Sequence, residues 1–282
     1  MSKVRELLFY TLLMAPLLML VLLFEMVPLF GLLFKSFQLD ESGQFGVGNY
    51  VTAFTGKFYL KSISNSLWIS FVSSLVGIVI ALFGVNALYR THNRWVKGFF
   101  LRILNMTSNF AGIPLAFAFM ILLGNSGFLV LLGKTAGIGT LGDFQLYSSS
   151  GMIINYIYFQ IPLACLLMFP TFDAIKKEYI EASILLNAKG LNFWRYIGLP
   201  IILPGILGTF SILFANAIAA YATAYALLGS NFPLLPVRIS AMFIGDVVQR
   251  PGMGSALSMI LLSIMTVLIV FNAFILKKMH KV

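Results

Sequence analysis

Apolar residues in this chain fall in long continuous runs separated by short polar segments. A run such as LLMAPLLMLVLLF shows no two-residue alternation. Six such stretches stand out, at about 7–34, 66–88, 100–123, 151–169, 201–228 and 253–276; the fourth is short and the fifth is rich in small residues. At about 1.5 Å of rise per residue each can cross hydrocarbon. Backbone groups inside a bilayer must bond within the segment, which favours helices; a barrel would need strict alternation in strands of about ten residues. The pattern predicts an all-α membrane protein with about six transmembrane helices in a single membrane domain over 1–282.

Composition agrees. Of the 282 residues 60% are hydrophobic and only 10% charged, with a mean hydropathy of +0.95. A soluble domain carries about 25% charged residues, so lipid must solvate most of this exterior. The first run, from Leu7 to about Phe34, follows Lys3 and Arg5 as a signal peptide would. It is too long for a signal's apolar core and has no small-residue cleavage site, so it reads as a retained first helix.

The net charge of +10 raises the question of nucleic acid, and its distribution answers it. With both termini in the cytoplasm, the inner segments hold Lys3 and Arg5; Arg90, Arg94, Lys97 and Arg102; Lys176, Lys177, Lys189 and Arg195; and Lys277, Lys278 and Lys281. Thirteen of the 19 basic residues are then inside, as the positive-inside rule requires. The chain is thus expected to sit in a membrane with both termini cytoplasmic, without nucleic acid. Cys165 is the single cysteine and His92 and His280 have no ligand-like neighbours, so no disulfide or metal site is expected. Glu25 is the one carboxylate within a span. No acid–base pair or intramembrane protease motif exists, and no catalytic residue is expected. Glu25 itself reads as a residue reaching the headgroups or another subunit, with a functional role as the alternative. GFLVLLGKT, from Gly127 to Thr135, looks like a phosphate loop, but it has five bulky residues between its glycines where the motif has four. No ATP-hydrolysing site is therefore expected in this chain.

The most informative segment is 170–200, between the fourth and fifth spans. Lys176 to Leu186 can form a short amphipathic helix with Ile180, Ile184 and Leu185 on one stripe. Asn187 suits a left-handed helix stop. Leu191 to Ile197 restarts a helical turn rich in aromatics, and Pro200 and Pro204 are expected to end it and open the fifth span. A compact helix–turn–helix with an apolar patch and a protruding acid suits docking into a partner's groove.

These residues resemble the permease subunits of type I binding-protein-dependent ABC importers. That family carries E-A-A, a Gly four residues after the last Ala, and a hydrophobic-x-Leu-Pro ending. Glu181, Ala182 and Ser183 stand at the first positions, Asn187 where the family has Gly, and Ile197, Leu199 and Pro200 at the last. GNYVTAF before the second span, the NSLWIS start of that span and GIPLAFAF in the third add to the likeness. The resemblance implies the type I ABC importer permease fold, with a cytoplasmic coupling helix–turn–helix at 170–200. It also implies an ATPase-coupling set of Glu181, Ala182, Ser183, Asn187, Gly190, Leu199 and Pro200. Implied partners are a second homologous permease, two cytoplasmic ATPase subunits and an external solute-binding protein, with ATP and Mg held by the ATPase and no cofactor in this chain.

In the fifth span, ANAIAAYATAYA places Asn216, Tyr221, Thr223 and Tyr225 among small residues. The segment reads as a helix–helix seam, a wall of the solute path, or both. Asn155 and Gln160 in the fourth span are candidates of the same kind. The pattern around GLPIILPGI resembles polyamine, iron and phosphonate permeases more than sugar permeases, with a polyamine-like cation as the first expectation. The alternatives are a secondary transporter or channel without an ATPase, an ABC sugar permease, or a membrane scaffold.

Overall fold

The computed structural model describes residues 3–91, 93–186, 188, 190–230, 232–244 and 249–279. It is helical throughout apart from an isolated antiparallel bridge between Gln38 and Phe45. The helices are α1 (Lys3–Val21), α2 (Val27–Ser36), α3 (Gly48–Thr55), α4 (Lys57–Arg90), α5 (Arg94–Ser108), α6 (Ile113–Leu123), α7 (Phe128–Thr135), α8 (Gly139–Gly142), α9 (Ser149–Phe172), α10 (Lys177–Leu185), α11 (Leu191–Phe193), α12 (Leu199–Ile218), α13 (Ala222–Leu228), α14 (Leu235–Ile244) and α15 (Pro251–Met279). A π-helical turn, Leu22–Met26, joins α1 to α2, and another, Trp194–Gly198, joins α11 to α12. Among the described residues, six helical stretches are long and apolar enough to cross a membrane: Tyr10–Ser36, Lys57–Arg90, Ile113–Thr135, Ser149–Phe172, Leu191–Ile218 and Pro251–Lys278.

The described residues form two compact units. One comprises 1–60 and 238–262; the other comprises 61–237 and 263–282. In the first, the loop after α2 is fastened by side chains. Asn49 Nδ2 donates to the carbonyls of Ser36 at 3.1 Å and Gln38 at 2.9 Å. Asp40 accepts from the backbone N–H groups of Gly252 at 2.7 Å and Met253 at 2.9 Å. Its carboxylate therefore caps the start of α15, where free N–H groups and the helix dipole favour negative charge. Glu25 lies in the first π turn with its side chain exposed.

The second unit is built around α9. The helix expected over 100–123 is in fact two, α5 and α6, broken between Asn109 and Gly112. The cause is local: Thr107 and Asn109 bond back to carbonyls four residues earlier and Ser108 to one three residues earlier, a habit that competes with and bends helices. Lys97 of α5 lies 4.7 Å from the Phe169 ring near the end of α9. Phe119 of α6 meets Tyr158, nearer its start, at 5.5 Å between ring centroids. The α5–α6 pair thus runs antiparallel along α9. The fourth span is longer than expected, because α9 continues through Pro162 and Pro170. GFLVLLGKT falls almost wholly in α7, a helix in which no phosphate cradle exists.

The apolar core of this unit divides into two clusters. One gathers Ile69, Leu115, Phe119, Met152, Tyr156 and Leu227. The other gathers Ile78, Val85, Met168, Phe172, Ile202 and Leu213 nearer the α10 end.

Candidate translocation path and coupling element

The fifth span is also broken. α12 ends at Ile218 and α13 begins at Ala222, where a continuous helix to 228 was expected. Breaks inside a membrane must satisfy the backbone groups they free, and here side chains do so. Tyr156 Oη donates to the carbonyl of Ala220 at 2.8 Å. At the other break, the Gly112 N–H donates to Thr223 Oγ1 at 2.9 Å. The breaks in the third and fifth spans therefore meet, and α6 packs on α13 beyond them. Gly112 has φ 73° and ψ −144°, a conformation that only glycine adopts without strain.

Of the four path residues expected in this span, Thr223 is 3% exposed and committed to Gly112. Tyr221 is half-buried, while Asn216 and Tyr225 are exposed. The Tyr221 and Tyr225 rings stack at 5.2 Å and 25°. Asn105, Asn109 and Phe110 are exposed at the other break. The sequence reading missed them; the polar run LNMTSN, followed by Gly112 within an otherwise apolar stretch, is the signal that could have found them. Asn155 and Gln160 are fully buried; Gln160 Nε2 donates to Ser74 Oγ and to the Leu213 carbonyl.

At the opposite end of the unit, α10 and α11 form a helical hairpin. Glu181 and Ala182 are exposed, whereas Ser183 is buried and its hydroxyl donates to the Ile180 carbonyl at 2.7 Å. The Ala188 N–H donates to the Ser183 carbonyl at 2.8 Å, five residues back, the bond that closes a Schellman-type helix end. Asn187, expected to make the turn, lies outside the described residues, as do Lys189, His92 and His280. Gly190 has φ +59° and starts α11. Leu185, expected on the stripe with Ile180 and Ile184, is instead 87% exposed beside Leu186 at 79% and Leu191 at 83%. Ile180 and Ile184 face a cavity of about 290 Å³ lined also by Tyr89, Phe172, Phe193 and Trp194.

Pro200 and Pro204 do not end the second element. The helix runs from Leu191 to Ile218, with Pro200 in the first turn of α12, where its missing N–H costs least. The π turn absorbs the change of register: the Leu199 N–H bonds to the Trp194 carbonyl. The residues from Leu191 onward are therefore a helical extension of the fifth span, with Leu199 and Pro200 inside the helix.

The family model described as "Binding-protein-dependent transport system inner membrane component" matches residues 73–281. The chain belongs to this family. Its match takes in both span breaks and the whole α10–α11 hairpin. Over 184 residues this inner-membrane component is 25% identical to the thiamine transport system permease protein ThiP of Salmonella typhimurium, covering 64% of the chain and 33% of the relative. It is 27% identical over 217 residues to the ferric transport system permease protein FbpB of Actinobacillus pleuropneumoniae, covering 76% of the chain and 31% of the relative. The matches thus span about a third of the length of these relatives. The fold is that of a bacterial ABC transporter importing the acidic polysaccharide alginate, with a TM-score of 0.76 at 17% identity over 97% of this chain and 96% of that one.

Proposed function

We propose that the chain is the permease subunit of an ATP-driven importer, forming part of the solute path and docking a cytoplasmic ATPase through 170–200. The observation that carries this reading is the α10–α11 turn, where Leu185 and Leu186 at the end of α10 and Leu191 at the start of α11 are each exposed and α11 runs on into the fifth span. Exposed leucines in a short segment that also carries Lys176, Lys177 and Arg195 suit a protein groove better than a lipid surface alone. Ser183 and Gly190 shape the turn, while Glu181 and Ala182 face the partner. A second similar permease, two ATPase copies holding ATP and Mg, and an external binding protein complete the assembly, with both termini cytoplasmic. Glu181→Lys tests the docking. Reversing the charge at a buried contact costs about 2 kcal/mol or more, so the purified complex should lose ATPase and uptake together. Normal values of both would end the proposal.

Relatives named for thiamine and ferric iron lend no support to a polyamine as solute. The exposed Tyr225 face, stacked on Tyr221, supports a small cation with a flat ring, since a ring face attracts cations and stacks on planar groups. Thiamine is the first choice, and Asn216 and Tyr225 would line its path. Uptake of labelled thiamine, ferric ion and spermidine by the assembled complex separates these; uptake of spermidine alone would restore the polyamine.

A further inference from the structure

The cavity of about 290 Å³ lined by Ile180 and Ile184 adjoins another of about 390 Å³, since Asn86, Phe172 and Trp194 line both. The larger one is walled by Val79, Leu82 and Phe83 of α4 and by Leu199 and Ile202 of α12. All five belong to helices long and apolar enough to cross a membrane. Val79, Phe83 and Leu199 are also exposed, so this cavity opens on the outside of the helices as an apolar groove.

A cation stands at one end of the groove. Arg90 ends α4, is exposed and lines the smaller cavity. Its Nε donates to Asn86 Oδ1 at 3.2 Å, which fixes the guanidinium beside a residue that both cavities share. No carboxylate lines either cavity, and among the described residues the one ion pair joins Arg250 to Glu41. Lys97 adds a second charge, its Nζ 5.9 Å from the ring of Tyr89, which also lines the smaller cavity. From Val79 to Arg90 the helix rises about 16 Å, close to half of a hydrocarbon core of about 30 Å. The groove therefore spans one leaflet, with its cation at the leaflet surface and Tyr89 and Trp194 where interfacial aromatics belong. A free anion would leave the apolar walls uncovered, and a zwitterionic lipid would bring its own cation toward Arg90. Basic pockets between transmembrane helices suit anionic headgroups.

We propose that this groove seats one anionic phospholipid of the cytoplasmic leaflet per chain, with its phosphate on Arg90 and an acyl chain between α4 and α12. The inference rests on the importer reading above, which puts this end of the spans at the cytoplasmic face. Trp194 opens the π turn that joins α11 to α12, so the lipid bridges α4 to the stem of the coupling hairpin.

Native mass spectrometry of the assembled complex, released from nanodiscs of phosphatidylglycerol and phosphatidylcholine in equal parts, reads which lipid stays bound. The wild-type complex should retain phosphatidylglycerol in preference. Arg90→Gln should reduce that preference about five-fold, the worth of one basic residue near an anionic membrane surface, and Arg90→Lys should keep most of it. Val79→Trp narrows the groove and should lower retention of both lipids. Lys278→Gln removes a basic charge that lines neither cavity and should change nothing. The seat is overturned if Arg90→Gln matches wild type, if Lys278→Gln loses as much as Arg90→Gln, or if inorganic phosphate alone displaces the lipid. A complex that retains no lipid overturns it too, because a partner subunit then covers the groove. Lipid retention as expected without ATP-driven uptake in proteoliposomes overturns the importer reading instead.

Discussion

Replacing Thr223 by valine tests whether the two span breaks are held together. The side chains have nearly the same shape, so the change deletes the acceptor of the Gly112 N–H without opening a cavity. That N–H is left without a partner at membrane depth. An unsatisfied buried donor costs about 1–3 kcal/mol, while measured interhelical hydrogen bonds in a membrane protein average about 0.6 and reach about 1.7 kcal/mol. Gly112 cannot relax by turning its amide elsewhere, because its φ of 73° is fixed by the turn into α6. The expected loss is about 1–2 kcal/mol. Equilibrium unfolding of the full chain in mixed micelles measures it, with Thr223→Ser as the control that keeps the oxygen. The serine variant should lie within about 0.5 kcal/mol of wild type. If valine is as stable as threonine, or serine as damaging as valine, the bond holds nothing and the breaks are independent.

Two further outcomes follow from the same geometry. Gly190→Val places a β-branched residue at φ +59°, a strain of about 1–3 kcal/mol. Uptake should fall while the spans stay folded by far-UV circular dichroism, and full uptake would show that this turn is not needed in its left-handed form. Asp40→Ala removes both acceptors from the start of α15 and should cost about 1–2 kcal/mol in unfolding experiments, with Asp40→Asn intermediate; an alanine variant as stable as wild type would show the cap to be idle.

The spans were legible because lipid demands continuous apolar runs, which no soluble constraint imitates. The family was legible because Glu181, Leu199 and Pro200 keep a fixed spacing. The breaks were not. Thr223 acquires its role from Gly112, 111 residues away, and no local pattern announces that pairing. The polar run from Asn105 to Asn109 was visible, but its side chains spend their hydrogen bonds locally, so only geometry shows that they end a helix. Pro200 misled for a related reason. A proline ends a helix only where an N–H is required, and the π turn before it had already altered that requirement. Leu185 was assigned to the wrong face: Ile180 and Ile184 line the cavity, while Leu185 at the end of α10 is exposed.

The three exposed leucines at the α10–α11 tip bear on the life of the chain before assembly. Burying each is worth about 1.5–3 kcal/mol, and that gain is withheld while the tip faces water. If the proposed docking is right, a newly made copy without that partner carries an exposed apolar knob. Its survival is tied by mass action to the supply of whatever covers the knob. Overproducing this chain alone should yield short-lived or aggregated protein, and producing it together with its covering partner should lengthen its half-life in proportion to the partner's abundance.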